Sequence, residues 1–359
     1  MRVLFIGPFP WPSHQGSQAY LAGQASALAR RGHDVHLLVY GAGSGGELPG
    51  VTLHRSRRFP GGEFSTGGLH ASRPLHDLAL AARIRRLARQ IRPDILHAHN
   101  VEGPLAARLA HSGLPIVYDL HTQMSEELAD HLPRRFRPLG PIAGRAVDRL
   151  ALRVSTAGCA ISDAAMEVFR EARLPATRVG PGIDPDELVA RPDAAERFGG
   201  GPPLLYTGNL DRYQNLGLLF EALEHSGIGL RVVTGSTAPL PGWVDAVRST
   251  DFRDAIDALS TARLAVIPRA RCSGFPVKLL NQLGMGVPTV MLHSAAVDLP
   301  GVVPTEPTAL RQTIEALLAD PDRLQRLGEA ARNEVLESWT WDARMQRLEG
   351  LYQSLIAPG

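Results

Sequence analysis

Short apolar runs alternate along the chain with segments whose apolar residues recur every three or four positions. Residues 3–6 and 35–40 predict strands. Between them, 16–31 predicts a helix with Tyr20, Leu21, Ala25, Leu28 and Ala29 on one face. The rhythm continues with a basic amphipathic helix over 75–91 and a strand over 94–97 after the Arg92–Pro93 break. A strand at 116–119, a helix at 146–154 and a strand at 158–162 follow. The Pro-, Gly- and Asp-rich stretch 179–203 then interrupts it and reads as a linker. Strands at 204–206, 230–233, 264–267 and 289–292 resume beyond it, with helices at 216–224, 254–259 and 278–285 between them. Helical patterns fill most of the remainder. Such alternation predicts parallel sheets with crossover helices, hence two doubly wound α/β domains facing across a cleft.

A length of 359 residues fits two domains. With 44% hydrophobic and 21% charged residues, each can bury an ordinary core. Two cysteines, Cys159 and Cys272, exclude a disulfide framework and a multi-cysteine zinc site. No apolar run suits a membrane span, and the first residues do not read as a secretory leader, so a cytoplasmic location is expected. The formal net charge of +2 hides an asymmetry. Residues 1–180 carry 22 Arg against 14 acidic residues, a net of +8, and residues 181–359 carry a net of −6. The first half is expected to meet something anionic. Lys278 is the single lysine among 38 basic residues.

Five segments carry candidate chemistry. Gly16 and Ser17 open a helix after the first strand, where free N–H groups suit an anion; a glycine needed only for a tight turn is the alternative. In RPDILHAHN, His97 and His99 share one strand face; no third metal ligand is visible, and packing is the preferred reading. His121 follows a strand end and can donate a hydrogen bond or shuttle a proton; a loop or capping histidine is the alternative. After the strand at 204–206, Gly208, Asn209, Asp211, Arg212 and Gln214 form a polar loop suited to a polar ligand. In RARCSGFPVKLLNQ, the backbone of Gly274, Phe275 and Val277 can face a phosphate, and Pro276 fits a helix start. Lys278 falls in the first turn of that helix, where a cation opposes the dipole unless an anion compensates. Asp184 and Asp186 lie in the linker and are discounted as a metal-binding pair. The arginines at 134, 135 and 137 lack the aromatic platform of a nucleic-acid site, so no nucleic-acid partner is expected.

Taken in order, these segments resemble a family 4 retaining glycosyltransferase of the GT-B fold. The resemblance runs from MRVLFIG and GSQAYLAGQASALARRGHDVHLL through RPDILHAHN, IVYDLH and GPGID. It continues with LLYTGNL, LGLLFEAL and LAVIPRARCSGFPVKLLNQLGMGVPTV and closes on WTWDARMQRLEGLYQSL. It implies two Rossmann-like domains: an acceptor domain over 1–182, joined by a helix over 341–359 that crosses back, and a nucleotide-sugar donor domain over 183–340. It places Gly16 near the donor diphosphate or the acceptor, and His121 near the transferred sugar. The stretch from Ser273 to Asn281 matches the segment that binds donor sugar, diphosphate and ribose.

The chain departs from the family pattern at four positions. An arginine and a lysine that usually clasp the diphosphate are Asn209 and Gln214 here, and the paired glutamates are Ser273 and Asn281. Lys278, Arg212 and Arg269 are candidates to supply the missing positive charge. The resemblance implies retaining transfer of a sugar from a nucleotide-diphosphate donor to a hydroxyl acceptor, with His121 and Lys278 as catalytic candidates and neither metal nor cofactor. The arginine-rich first half suggests an anionic or lipid-linked acceptor and peripheral membrane contact; a solvated basic surface is the alternative. Two competing readings are a non-catalytic GT-B scaffold or sugar-nucleotide-binding subunit, and a sugar-nucleotide 2-epimerase.

Overall fold

The computed structural model describes residues 1–12, 16–59, 72–132, 134–271 and 275–356. The chain divides into two compact units, residues 1–182 with 341–359, and residues 183–340.

Among the described residues, the first unit holds a seven-stranded parallel sheet: β1 (Arg2–Gly7), β2 (Asp34–Val39), β3 (Val51–Arg55), β4 (Ile95–His99), β5 (Ile116–Leu120), β6 (Ala157–Ala160) and β7 (Ala176–Arg178). Its order is β3-β2-β1-β4-β5-β6-β7, a doubly wound arrangement that reverses beside β1. The helices are α1 (Gly16–Arg30), α2 (Arg73–Ile91), α3 (Glu102–Leu109), α4 (Met124–His131), α5 (Gly140–Val154) and α6 (Asp163–Glu171). The second unit has β8 (Leu204–Thr207), β9 (Leu230–Thr234), β10 (Asp245–Arg248), β11 (Leu264–Ile267), β12 (Thr289–Leu292) and β13 (Val302–Thr305), in the order β10-β9-β8-β11-β12-β13. Around it run α7 (Ala194–Phe198), α8 (Leu216–Leu223), α9 (Phe252–Thr261), α10 (Val277–Gly284), α11 (Leu310–Leu318) and α12 (Pro321–Ser338). The last helix, α13 (Trp341–Ile356), belongs to the first unit.

The strand period of two builds both cores. Val3 and Phe5 join Val35, Leu37, α1 and α13 on one face of the first sheet, while Leu4 and Ile6 join Leu38, Leu80 and Ile84 on the other. In the second unit Leu205, Ala265 and Met291 face one core, and Leu204, Tyr206, Val266 and Val290 face the other. Sheets covered on both sides need apolar residues at consecutive positions, which is why their central strands read as continuous runs. The four strands absent from the sequence reading, β3, β7, β10 and β13, are the four sheet edges. They are only half-buried, so their alternation is diluted by polar residues.

The linker reading also gains detail. Residues 179–203 contain the helix α7 and a 3-10 turn, Pro185–Leu188, and the division between units falls after Gly182. Asp184 has a local role there: its carboxylate accepts the N–H of Asp186 and caps that turn. α13 docks where α1 has Gly23, whose missing side chain admits Trp341; a Cβ there would fall 2.1 Å from Trp341 Cζ2.

Candidate functional site

The second unit gathers polar groups at the carboxyl ends of β8 and β11, which pair in parallel. Lys278, in the first turn of α10, donates from Nζ to the Thr207 carbonyl at 3.0 Å and to Gln214 Oε1 at 3.2 Å. It also stands 4.2 Å from the centroid of the Tyr206 ring, a cation–π contact. Arg269, just past β11, donates from Nε to the same Gln214 oxygen at 2.8 Å and lies over the Tyr213 ring at 4.9 Å. Two cations therefore converge on one amide oxygen. Gln214 is buried, and its Nε2 donates to Asn209 Oδ1 at 2.6 Å. The Asn209 amide nitrogen in turn donates to Asp211 and to the Tyr213 hydroxyl.

Gly208 makes this approach possible. Its φ of +132° lies in a region that side-chain-bearing residues rarely adopt. A Cβ there would stand 3.2 Å from Lys278 Nζ and 3.3 Å from the Tyr206 hydroxyl. That hydroxyl donates to the Asn209 carbonyl at 2.7 Å, and burial raises its pKa, so it stays protonated.

The structure thus brings together Gly208, Asn209, Gln214, Arg269 and Lys278. Arg212 is exposed on a 3-10 turn, Arg212–Gln214, and no hydrogen bond or ion pair of its side chain joins that cluster. Pro276 is the N-cap of α10, and the helix begins at Val277, one residue before the start read from the sequence. Val277 is exposed, and Asn281 is half-buried one turn further on. Phe275 stacks on Trp339 at 4.8 Å, which anchors the entry to α10. Ser273 and Gly274 lie outside the described residues, as does Cys272. In the first unit, Gly16 begins α1 with nothing within 4 Å of where a Cβ would stand, and Ser17 follows.

His121 follows β5 and belongs to a buried polar cluster. Parallel register sets His99 of β4 beside Asp119 of β5, and Asp119 beside Cys159 of β6. His97 and His99 share a face, 5.0 Å between ring centroids, and Phe5 stacks on His97. His121 Nε2 lies 2.9 Å from His99 Nδ1. Burial lowers the pKa of both His99 and His121, so both imidazoles are neutral near pH 7. Burial alone would raise the Asp119 carboxyl, but the surrounding imidazoles hold it below the usual carboxylate range. His97, His99 and Asp119 present ligand atoms within 4.8 Å of one another, a set able to hold a metal ion. The sequence showed only the two histidines, because the third group comes from another strand. The side chains of Asp119, Gln24 and Tyr352 were missed for the same reason: each reads locally as core or helix surface.

Residues 15–181 match the family model of the glycosyl transferase 4-like domain, and residues 217–350 match that of a glycosyl transferase-like domain. No curated protein sequence matches the chain. The fold is similar to that of sucrose-phosphate synthase from Thermosynechococcus elongatus, 16% identical over 99% of each chain with a TM-score of 0.78. It is similar to a glycosyltransferase from Rickettsia africae, 13% identical over 100% of this chain and 99% of that one, TM-score 0.75. Anabaena HepE, solved in complex with UDP-glucose, is 15% identical over 99% of this chain and 100% of its own, TM-score 0.69.

Proposed function

Because the chain belongs to the glycosyltransferase 4-like family and has the GT-B fold, we propose that it transfers a sugar from a nucleoside-diphosphate donor to a hydroxyl acceptor with retention at the anomeric carbon. The observation that carries the donor half is the convergence of Lys278 and Arg269 on Gln214. Positions 209 and 214 are neutral, yet two cations, Arg269 just past β11 and Lys278 in the first turn of α10, stand at the same amide. A diphosphate binding there would replace one neutral acceptor with charge-assisted hydrogen bonds. Its developing negative charge as the leaving group would be met by Lys278, Arg269 and the N-terminus of α10, so the reaction as read here requires no metal ion. Retention follows from a front-face reaction, in which the leaving phosphate takes the acceptor proton, and His121 is the first unit's candidate for a hydrogen bond to a substrate hydroxyl. The UDP-glucose bound by HepE supports a nucleotide sugar as the donor class.

The acceptor half rests on the first unit. A groove of about 620 Å³ beside α2 is lined by Arg55, Arg57, Arg83 and Arg86 together with Leu75 and Leu78. A second patch covers α5 and the 3-10 segment Arg134–Leu139. α5 turns Gly140, Gly144, Asp148 and Ala151 inward, and the Asp148 carboxylate accepts the N–H groups of Met124 and Ser125 at the start of α4. Its outer side carries Ile142 and Leu150, and Phe136 and Leu139 precede it, all more than 40% exposed among Arg134, Arg135, Arg137, Arg145 and Arg149. Guanidinium groups interleaved with exposed apolar side chains suit an anionic lipid surface. These surfaces support peripheral contact with a membrane face and an anionic or lipid-linked hydroxyl acceptor. Among the described residues, no helix is long and apolar enough to cross a membrane.

A thermal-shift panel of nucleoside diphosphates and sugar nucleotides on wild type and Lys278→Ala tests the donor reading. Ligand at 100 times its dissociation constant stabilises by about 2.7 kcal/mol. One nucleotide should stand out and lose its effect in the variant. The anomeric configuration of the product, read by NMR, then tests retention, and an inverted product overturns it. The neutral residues Asn209, Gln214, Ser273 and Asn281 favour one competing reading, a non-catalytic scaffold. A flat panel with well-folded protein would establish that reading instead.

A further inference from the structure

A chain of buried polar groups runs from α13 to His121 within the first unit. The Tyr352 hydroxyl lies 2.5 Å from His97 Nδ1, and His97 Nε2 lies 3.0 Å from Asp119 Oδ2. Gln24 Nε2 donates to that same oxygen at 3.0 Å. The other oxygen, Asp119 Oδ1, makes no hydrogen bond of ordinary geometry among the described residues, and His121 Nε2 faces it at 3.4 Å. The side chains of His97, His99 and Asp119 are wholly buried.

The protons can be placed from these contacts. An imidazole presents an N–H, not a lone pair, to a carboxylate, so His97 donates from Nε2 to Asp119. Burial keeps Tyr352 protonated, and its O–H donates to His97 Nδ1. His97 and Gln24 are thereby donors to Oδ2, and the Cys159 thiol is a further hydrogen-bonding neighbour of the carboxylate, while Oδ1 presents negative potential to His121 Nε2 at 3.4 Å. A proton on that nitrogen is attracted by Oδ1 and accepted by His99 Nδ1; a lone pair there would point at an anion. The arrangement leaves the His99 Nε2–H buried without a partner among the described residues. That is the lesser penalty, because one unpaired neutral dipole is set against repulsion from a full charge.

We propose that Asp119, itself held by His97, Gln24 and Tyr352, is a positioning residue that fixes His121 as its Nε2–H tautomer. Nδ1 is then the unprotonated nitrogen, the one that accepts a hydrogen bond from a substrate hydroxyl. The assignment of a substrate to His121 rests on the transfer reading above; the tautomer does not. It also gives α13 a task in the chemistry, since Tyr352 is the far end of the chain.

The test is a long-range proton–nitrogen correlation spectrum of the 15N-labelled full chain, with the His121 signals identified by their loss in His121→Gln. The wild type should show a protonated Nε2 and a bare Nδ1; a protonated Nδ1 overturns the proposal. Asp119→Asn should switch the tautomer and lower kcat about tenfold or more, with the donor KM changed less than about threefold. Should that variant not fold, Tyr352→Phe keeps the ring and removes the terminal donor, and it should displace the His121 nitrogen signals. Unmoved signals in a folded variant overturn the proposal. So does elemental analysis that finds one metal ion per chain lost together with a change in the His121 signals, because a metal would take the place of that proton. A wild type with no turnover on any sugar nucleotide counts against the transfer reading alone, since the tautomer is read without substrate.

Discussion

Lys278 donates to Gln214 Oε1 at 3.2 Å, tying the first turn of α10 to the turn that follows β8. Arg269 reaches the same oxygen at 2.8 Å, so the amide is an acceptor shared by two cations. Gln214→Glu puts a carboxylate at that point. It should weaken nucleoside-diphosphate binding by about tenfold or more, because the site then carries its own anion. Calorimetric titration of wild type and variant decides it; unchanged affinity would remove Gln214 from the donor site.

Gly208→Ala should be costly at a single methyl. The φ of +132° is unfavourable for alanine, and the new Cβ would press on Lys278 Nζ and the Tyr206 hydroxyl. A loss of about 1–3 kcal/mol in urea unfolding is expected, together with weaker nucleotide binding.

Stability should rise with pH between about 4 and 6.5. His54 is lowered to about 4, first by burial and then by the charges of His36 and Arg83. His36, His99 and His121 are also lowered, burial leading in each. An unfolded imidazole titrates near about 6.5, so across this window these four histidines bind more protons in the unfolded chain than in the folded one, outnumbering Asp77 and Glu102, whose carboxyls burial raises and which act the other way. The contribution is complete above about 6.5 and is lost as pH falls toward 4. Asp119 is shifted down, so its share is lost only at lower pH. Melting temperature against pH measures this, and His54→Gln should flatten part of the slope. A level profile from pH 7 to 4 would contradict the burial argument.

Phe136→Ser, Leu139→Ser and Ile142→Ser together remove apolar surface that is already exposed, so folding should be unaffected. Flotation with vesicles rich in anionic lipid should fall several-fold, and wild-type binding should weaken as salt rises. Wild-type protein that ignores lipid charge at low salt would leave the basic surface merely solvated.

Gly23→Val should dislodge α13. The space beside Gly23 is filled by the Trp341 ring, and Met345, Leu348 and Tyr352 of the same helix complete a core with Phe5 and Leu37. A loss of about 1–3 kcal/mol by overpacking is expected, read in urea, with a larger loss on truncation before Trp341.

Most of the central strands were legible because both faces of a covered sheet demand apolar residues. The runs at Val3–Ile6 and Leu264–Ile267 read as strands because they are short, wholly apolar and followed by Gly or Pro. The edges β3 and β10 were not legible, since a strand with one neighbour and partial exposure, such as Asp245–Arg248, loses the signal that burial imposes. Lys278 was legible by its solitude and by its misplacement against a helix dipole. Gln214 was legible as a departure from a pattern, but not as the meeting point of two cations.

The sequence by itself determined the alternation of elements, the two doubly wound sheets and the family. Those properties depend on periodicity and on near neighbours in the chain. Only the tertiary structure decided which groups share an atom. Lys278 and Arg269 meet on Gln214 because β8 and β11 are adjacent strands whose loops leave from the same end. Asp119 joins His97, His99 and His121 because parallel register aligns β4 with β5, and Tyr352 arrives from a helix 255 residues beyond His97. Hydrogen bonds act over about 3 Å in space and carry no trace of separation along the chain, so no local pattern could announce them.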